Sequence, residues 1–271
     1  MAEFDGVRGG LWEIETPKIS GTFAQNLGWV VSTSSPYSRC SSPGADVSKA
    51  KPPISNYDGA QFDAIEYWHG YHMAIPGQGS QELLVNHGRT PQPVDGKIYP
   101  WTTKQNWRIS CLPTITGGTG EGFLAVSPQG TKYFFNRMVT TWGASPLQKT
   151  KYCFGYFTGE IHPCPAILPR IEGKLLATRV EDRFGNSVAY NYAASGALTS
   201  IVASDGRQIT LSYDSAGKLI SATDGSRTWL YQYVIGTTSD SSGVLPLLSS
   251  VTQPDGQSWT IATKVICCLK I

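Results

Sequence analysis

The sequence has 271 residues, and its 22 Lys and Arg against 20 Asp and Glu give a formal net charge of +2. Because these charges are spread evenly along the chain, the sequence has no basic patch, which disfavours binding to nucleic acid or to an anionic membrane. Charged residues make up 15% of the chain, below the roughly 25% of an average domain, while 29 Gly and 17 Pro indicate many turns. The hydrophobic share of 40%, with 8 Trp, 13 Tyr and 9 Phe, is enough for a sizeable core.

The sequence predicts no membrane-spanning helix, because no stretch approaches ~18 consecutive apolar residues. Residues 1–5 are acidic and lack the basic and apolar regions of a secretory signal. The cysteines have neither the density of a disulfide scaffold nor a C-x-x-C pair, so we expect buried or free thiols. They are Cys40, Cys111, Cys153, Cys164, Cys267 and Cys268.

Residues 1–125 are predicted to form an irregular β region with long loops. Short β-like runs at 27–32, 82–85 and 107–111 are separated by segments rich in Pro, Gly and Ser. No convincing amphipathic helix occurs among them. The region therefore has β character without a regular repeat.

Aromatic side chains in this region and shortly after it are candidates for a recognition surface. Trp and Tyr on an exposed β face stack on sugar rings or contact a protein partner. The candidates are Trp68, Tyr71, Trp101, Trp107 and Trp142. The alternative interpretation is that these side chains belong to the core.

Two histidines beside the first of these aromatics raise the question of a metal site. His69 and His72 are three residues apart, with Glu66 nearby. A helix would be needed to aim the three side chains at one ion, and Gly70 among aromatic residues argues against a helix. We therefore predict no metal site and no cofactor.

A glycine-rich run at 117–122 invites comparison with a phosphate-binding loop. It lacks the Lys-Ser/Thr of a P-loop and the G-x-G-x-x-G spacing of a dinucleotide site. Residues 123–126 then have the pattern of a strand, whereas phosphate loops lead into a helix N-terminus. The run is predicted to be a plain loop.

Residues 126–271 are predicted to be a β-hairpin array, with an elaborated hairpin insertion at about 137–173. Near its end, large apolar residues occupy every second position, and this pattern recurs at intervals of 20 or 21 residues. Alternation with small or polar residues is the period of a half-buried β-strand. The predicted repeat core is Val188, Tyr190, Tyr192, Ile209, Leu211, Tyr213, Trp229, Tyr231 and Tyr233.

Asp-Gly pairs stand between these predicted strands. Six of the 11 aspartates precede a glycine, and this pair tolerates the positive φ of tight hairpin turns, so we interpret the aspartates as turn formers. The predicted turn residues are Gly185, Asp205, Gly206, Asp224, Gly225, Asp255 and Gly256. A glycosidase carboxylate pair forms in space and is not visible in sequence spacing, but the low acidic count disfavours an enzyme. A G-x-S-x-G nucleophile elbow is also missing from the sequence.

The repeat resembles the YD repeat of the RHS family. That unit runs as D-x-x-G-N/R, then a strand ending in Tyr-x-Tyr-Asp, then x-x-G-x-L. Residues 213–219 match the pattern best, whereas Tyr192 and Tyr233 are followed by Ala and Val. Upstream, residues 68–77, 81–84, 107–112 and 120–128 are similar to the N-terminal region of bacterial RHS proteins.

The resemblance implies a spiral of β-hairpins that coils into a hollow shell. Bacterial RHS shells are similar to containers that hold a C-terminal toxin for delivery to another cell. We therefore expect a non-enzymatic shell segment of polymorphic-toxin type, secreted or associated with the cell envelope. Its expected partners are further YD repeats and a toxin segment, with a secretion apparatus or a cell-surface glycan as additional candidates.

The chain departs from the family pattern at the family's closing region. The family has an Asp-Pro motif beside an autoproteolytic site, and the sequence contains no Asp-Pro dipeptide. Three to four repeats do not close a cavity, so we expect the first part of a shell, as a fragment or a truncated product. The alternative function is a surface module that binds glycan or protein through the aromatic candidates.

Overall fold

The computed structural model describes residues 14–31, 35–43, 54–55, 61–88, 92–154, 159–237 and 244–261. The chain divides into two compact units. The N-terminal unit extends from Thr16 to Gly185, and the described part of the C-terminal unit is 14–15, 186–237 and 244–261. Consecutive antiparallel hairpins dominate each unit, so the predicted all-β fold is confirmed.

The described part of the N-terminal unit contains eleven strands and a single turn of helix. The strands are β1 (Lys18–Ala24), β2 (Ile54–Ser55), β3 (Gln61–Phe62), β4 (His72–Ile75), β5 (Gly79–Glu82), β6 (Leu84–Val85), β7 (Trp101–Thr102), β8 (Arg108–Leu112), β9 (Gly122–Val126), β10 (Lys132–Phe154) and β11 (Ile161–Glu181). The helix, α1, spans Ala64–Tyr67 and begins with a capping box between Asp63 and Glu66.

The strands of this unit pair mostly in sequence order. The sheet runs β11-β10-β9-β8-β7-β6, and β1 pairs with β11 and with β4, which pairs with β5. Strands β2 and β3 form a separate ladder. The predicted domain division after residue 125 stays a prediction, and residue 125 itself lies within β9.

The predicted β run at 27–32 is wrong over the residues that the structure describes. After β1 the chain turns, with the Leu27 and Gly28 N–H groups donating to the Ala24 carbonyl, and Gly28 adopts a φ of 62°. Trp29 and Val31 are nevertheless buried. Their hydrophobicity reflects a loop packed on the core rather than a strand.

The core of the N-terminal unit is a cluster of aromatic rings around β1. Phe23 stacks on Trp29 and on Trp68, with centroid separations of 5.2 and 5.0 Å. Two glycines that face each other across the β1–β11 ladder, Gly21 and Gly173, leave room for these indole rings, since a Cβ there would come within 2.9 Å of Trp68 and 2.8 Å of Trp29. Small residues in the strands thus allow large rings to pack between them.

Four cysteines form two disulfides, so the expectation of buried or free thiols is wrong for these four. Cys40 is bonded to Cys111, with 5.4 Å between the Cα atoms, and Cys153 is bonded to Cys164, with 5.9 Å. The first bond joins a loop to β8, and the second joins the two strands of the β10–β11 hairpin. Because the partners are 71 and 11 residues apart, no spacing motif revealed them. Cys267 and Cys268 lie outside the described residues.

The C-terminal unit is a run of antiparallel strands in which each pairs with the next along the chain. Its strands are β12 (Ser187–Tyr192), β13 (Leu198–Ala203), β14 (Gln208–Tyr213), β15 (Leu219–Thr223), β16 (Thr228–Thr237), β17 (Val244–Thr252) and β18 (Ser258–Thr260). Neighbour-only pairing of this kind is typical of a repeat array. None of the helical segments described here has the length and apolar character to cross a membrane.

Candidate functional site

The candidate site is the apolar face of the C-terminal unit, here called the tyrosine face. Strand alternation and cross-strand pairing place the nine predicted repeat-core residues on this one side of the sheet. Leu211 is buried, Ile209 is exposed, and the other seven are half-buried. The face is therefore apolar but only partly covered.

The same tyrosine–leucine step occurs in three successive hairpins. Tyr192 pairs with Leu198, Tyr213 with Leu219, and Tyr233 with Leu248, each directly after a shift of register in the ladder. All three leucines are buried, and they were not among the predicted core residues. The x-x-G-x-L half of the repeat carried the signal for the first two leucines. The third follows a longer insertion, which breaks the spacing.

Neighbouring repeats are joined by a hydrogen bond as well as by packing. The Tyr213 hydroxyl donates to the backbone carbonyl of Leu198, one repeat earlier, at 2.7 Å. Burial raises the pKa of Tyr213 and that of Tyr231, so both hydroxyls stay protonated at neutral pH. Leu198, Leu211 and Leu219 form the buried cluster beneath these rings. The tyrosine face thus transmits contact from one hairpin to the next.

The predicted turn glycines have left-handed backbone conformations. Gly185, Gly206, Gly225 and Gly256 have φ values of 92°, 88°, 93° and 83°. This region is readily accessible only to glycine and explains the Asp-Gly pairs. Gly206, Gly225 and Gly256 each follow an aspartate, whereas Gly185 follows Phe184 and its turn is held by Asp182, whose carboxylate accepts from the Phe184 N–H.

The aspartates of these turns accept hydrogen bonds from the backbone. Asp224 Oδ1 accepts from the Arg227 N–H at 2.7 Å, and these bonds hold the Asp224 pKa well below its usual range. Asp205 accepts from the Arg207 N–H and from its guanidinium, which likewise lowers the pKa of Asp205. Asp255 accepts from the Gln257 N–H. The chemistry of these carboxylates is that of turn closure.

The Tyr-Asp pair closes a second kind of turn. Asp214 Oδ1 accepts from the N–H groups of Ala216 and Lys218 at 3.0 and 2.8 Å. The backbone bond from Lys218 lowers the pKa of Asp214, with the Lys218 ammonium 3.4 Å from Oδ2. The equivalent turn at Ala193 has the same backbone bonds without a carboxylate.

The structure separates the five aromatic candidates for a recognition surface. Tyr71, Trp101 and Trp107 are buried, and Trp68 is half-buried with its ring centroid 4.7 Å from that of Tyr71. Trp142 is 72% exposed. Four of the five therefore pack in or against the core of the N-terminal unit, and Trp142 is the member that is largely exposed.

The three residues considered for a metal site have different structural environments. Glu66 binds the Lys149 ammonium at 2.7 Å and accepts from the Asp63 N–H at 2.6 Å, and both bonds lower the pKa of Glu66. His69 lies in the loop after α1, and His72 begins β4. Among the described residues, no three His, Cys, Asp or Glu side chains are grouped to hold a metal ion.

The glycine-rich run packs against the segment 35–43. Arg39 donates to the Thr119 carbonyl at 2.6 Å, and the Glu121 carboxylate accepts from the N–H groups of Cys40 and Ser41. Strand β9 follows, as the sequence predicts. The Thr119 carbonyl and the Glu121 carboxylate of the loop are thus bound by the segment 35–43, which is a structural role.

Comparison with known families identifies the repeat. Residues 192–228 match the family model of the RHS repeat. The match begins at Tyr192 and spans β13, β14 and β15, so it includes two of the tyrosine–leucine steps. No curated protein matches the chain.

Proposed function

This chain is an RHS-repeat protein, and we propose that it is a wall segment of a toxin-enclosing shell. The RHS repeat is a structural shell module. In this proposal the chain performs no catalysis. It encloses or presents a C-terminal toxin cargo of the polymorphic-toxin type, with further YD repeats completing the wall.

The observation that supports this function is the repeated tyrosine–leucine step. Each step buries a leucine, Leu198 and Leu219 share a buried cluster with Leu211, and the Tyr213 hydroxyl reaches back to the Leu198 carbonyl. A hairpin that contacts only its neighbours can be extended without limit along the sheet. The size of such an array depends only on the number of hairpins, because each hairpin pairs with its neighbours alone.

The edge of the array supports continuation by further repeats. Strand β18 is three residues long and its described side chains are exposed. Among the described strands β18 pairs with β17 alone, and the other edge of such a strand offers N–H and C=O groups to a further strand. We infer that additional Tyr-Asp hairpins pair with this edge in the assembled shell.

The disulfides support an extracellular or envelope location. RHS-repeat proteins are typically found there. Disulfides form and persist in oxidising compartments and are rare in the cytosol. Cys40–Cys111 and Cys153–Cys164 therefore fit a protein that is exported, with a secretion apparatus or a surface glycan as a partner in delivery.

The experiment that tests this function begins with the DNA beyond the codon for Ile271 and in the neighbouring reading frames. We expect further Tyr-Asp repeats followed by a C-terminal segment of different composition. The chain is then expressed together with those further repeats and that segment, and the product is exposed to a protease. Protection of the segment, relative to the same segment expressed alone, supports enclosure. Equal digestion rates in the two samples contradict it.

A further inference from the structure

The end of the β10–β11 hairpin carries an apolar face that is exposed in the part of the chain that the structure describes. We call residues 147–154 and 161–168 the distal ribbon. Its exposed side carries six apolar residues, which are Tyr152, Phe154, Ile161, Pro163, Pro165 and Ile167. Tyr152, Phe154 and Ile161 are 74%, 67% and 72% exposed. Contiguous exposure of large side chains is uncommon on monomeric proteins and marks interaction surfaces.

The opposite side of the distal ribbon is fixed to the N-terminal unit. Ala166 and Leu168 are buried in a cluster with Phe62 and Tyr67. The Lys149 ammonium donates to the Gln61 carbonyl at 2.6 Å and contacts Glu66. The Cys153–Cys164 bond ties the two strands together. The ribbon therefore cannot turn over to bury its apolar side within the same chain.

The chemistry of the exposed side favours a partner without charge. Alternation along β10 places Lys149 and Lys151 on the covered side, and the polar residues of the exposed side are the neutral Gln148 and Thr150. A nucleic acid or an anionic lipid surface would require cations on this face. The ribbon offers a flat, neutral, apolar surface.

We propose that this face binds the same face of a second copy of the chain. A two-fold axis lying in the plane between two copies brings the same patch of each copy into contact, so two ribbons can pack face to face. The pairs Phe154–Ile161 and Tyr152–Pro163 present apolar groups from both strands. The result is a closed dimer, in contrast to the open-ended association of an exposed strand edge.

The exposed area is sufficient for a weak, specific dimer. With about 150–250 Å² for a buried aromatic side chain, the apolar groups of the face amount to roughly 500 Å² per copy and roughly 1,000 Å² for two. This is the lower limit for a specific interface. We therefore expect dissociation in the micromolar range rather than an obligate dimer.

Sedimentation velocity of the full chain from about 1 to 100 μM tests the proposal, a range that brackets a micromolar dissociation constant. The test variant is Phe154→Ser, and the control is Phe184→Ser, which alters a phenylalanine of similar exposure, 75%, outside the ribbon. We expect a monomer–dimer equilibrium that the control preserves and that Phe154→Ser weakens at least about tenfold. Unchanged circular dichroism of both variants shows that the fold is retained.

Three outcomes would overturn the dimer. The first is a monomer throughout the concentration range. The second is a dimer that Phe154→Ser leaves intact or that Phe184→Ser weakens equally. The third is open-ended association insensitive to both changes, which would place the contact at the edge strand. If the chain does not dimerise but binds neutral lipid vesicles, and Phe154→Ser abolishes that binding, the face would be assigned to a membrane instead. None of these results bears on enclosure of a toxin segment, which the protease experiment measures separately.

Discussion

Removal of a single hydroxyl group tests whether neighbouring repeats are coupled. Tyr213→Phe keeps the ring on the tyrosine face and deletes only the donor to the Leu198 carbonyl, 2.7 Å away. Since Leu198 is 4% exposed, its carbonyl has little access to replacement water. The change therefore removes a contact between repeats while leaving their apolar packing in place.

The expected loss of stability follows from the environment of that bond. A neutral hydrogen bond contributes about 1 kcal/mol net, and an unsatisfied buried acceptor costs about 1–3 kcal/mol. We expect Tyr213→Phe to lower the free energy of unfolding of the C-terminal unit by about 1.5 kcal/mol. This corresponds to a roughly tenfold faster exchange of amides that open with the unit.

Hydrogen exchange measured on peptides of the C-terminal unit gives this quantity without assuming that the two units unfold together. The control is Tyr152→Phe, which deletes a hydroxyl from a side chain that is 74% exposed. Its peptides should exchange at the wild-type rate. If Tyr213→Phe leaves the exchange of residues 198–213 unchanged, or if the control slows or speeds it equally, the coupling between repeats is refuted.

Three further predictions concern the N-terminal unit. Gly120→Ala should lower the free energy of unfolding by roughly 3 kcal/mol, because Gly120 has a φ of 100° and a Cβ would overlap the Tyr37 side chain. Thermal unfolding of both variants should show a smaller loss for the control Gly77→Ala, since Gly77 has a φ of 75° and open space around it. Replacing Cys40 and Cys111 by Ser should lower the free energy of unfolding by about 4 kcal/mol, the chain-entropy value for a loop of this length. Urea unfolding of the variant, and of the wild type with and without reductant, measures this loss. Burial raises the pKa of Tyr67 to about 12, above its unfolded value near 10. Its contribution is therefore complete below pH 10 and is lost as the pH rises toward 12, which urea unfolding between those pH values should show as falling stability. An alkaline absorbance titration in which every tyrosine ionises near pH 10 would contradict this assignment.

The C-terminal unit could be predicted because its rules are local. A strand with a large residue at every second position and an Asp-Gly pair at its end can be recognised from the local sequence, without knowledge of a distant partner. The strands β12 to β16 accordingly coincide with the predicted repeat positions. The register shifts that bring Leu198 and Leu219 under the tyrosines were not visible, because a shift of one residue leaves the period of each strand unchanged.

The N-terminal unit was harder to predict because its contacts join distant parts of the chain. Strand β1 pairs with β11 about 150 residues later, and no local pattern specifies such a partner. The same reason applies to the Cys40–Cys111 bond. The aromatic candidates show the limit most clearly, since an exposed and a buried tryptophan have the same sequence signal until the opposing strand is known.

The turn at Ala193 indicates which part of the Tyr-Asp motif is required for the fold. Ala193 donates to the Ala197 carbonyl at 2.8 Å, and Gly196, with a φ of 91°, donates back to the Ala193 carbonyl. The turn at Asp214 has the same two backbone bonds, and the Asp214 carboxylate also accepts from the N–H groups of Ala216 and Lys218. Because the turn forms without the carboxylate, the glycine and the backbone set its geometry, and the aspartate reinforces it. A repeat can therefore lose its aspartate and still form its hairpin. Loss of the buried leucine would instead remove packing in the cluster that Leu198, Leu211 and Leu219 form between neighbouring hairpins.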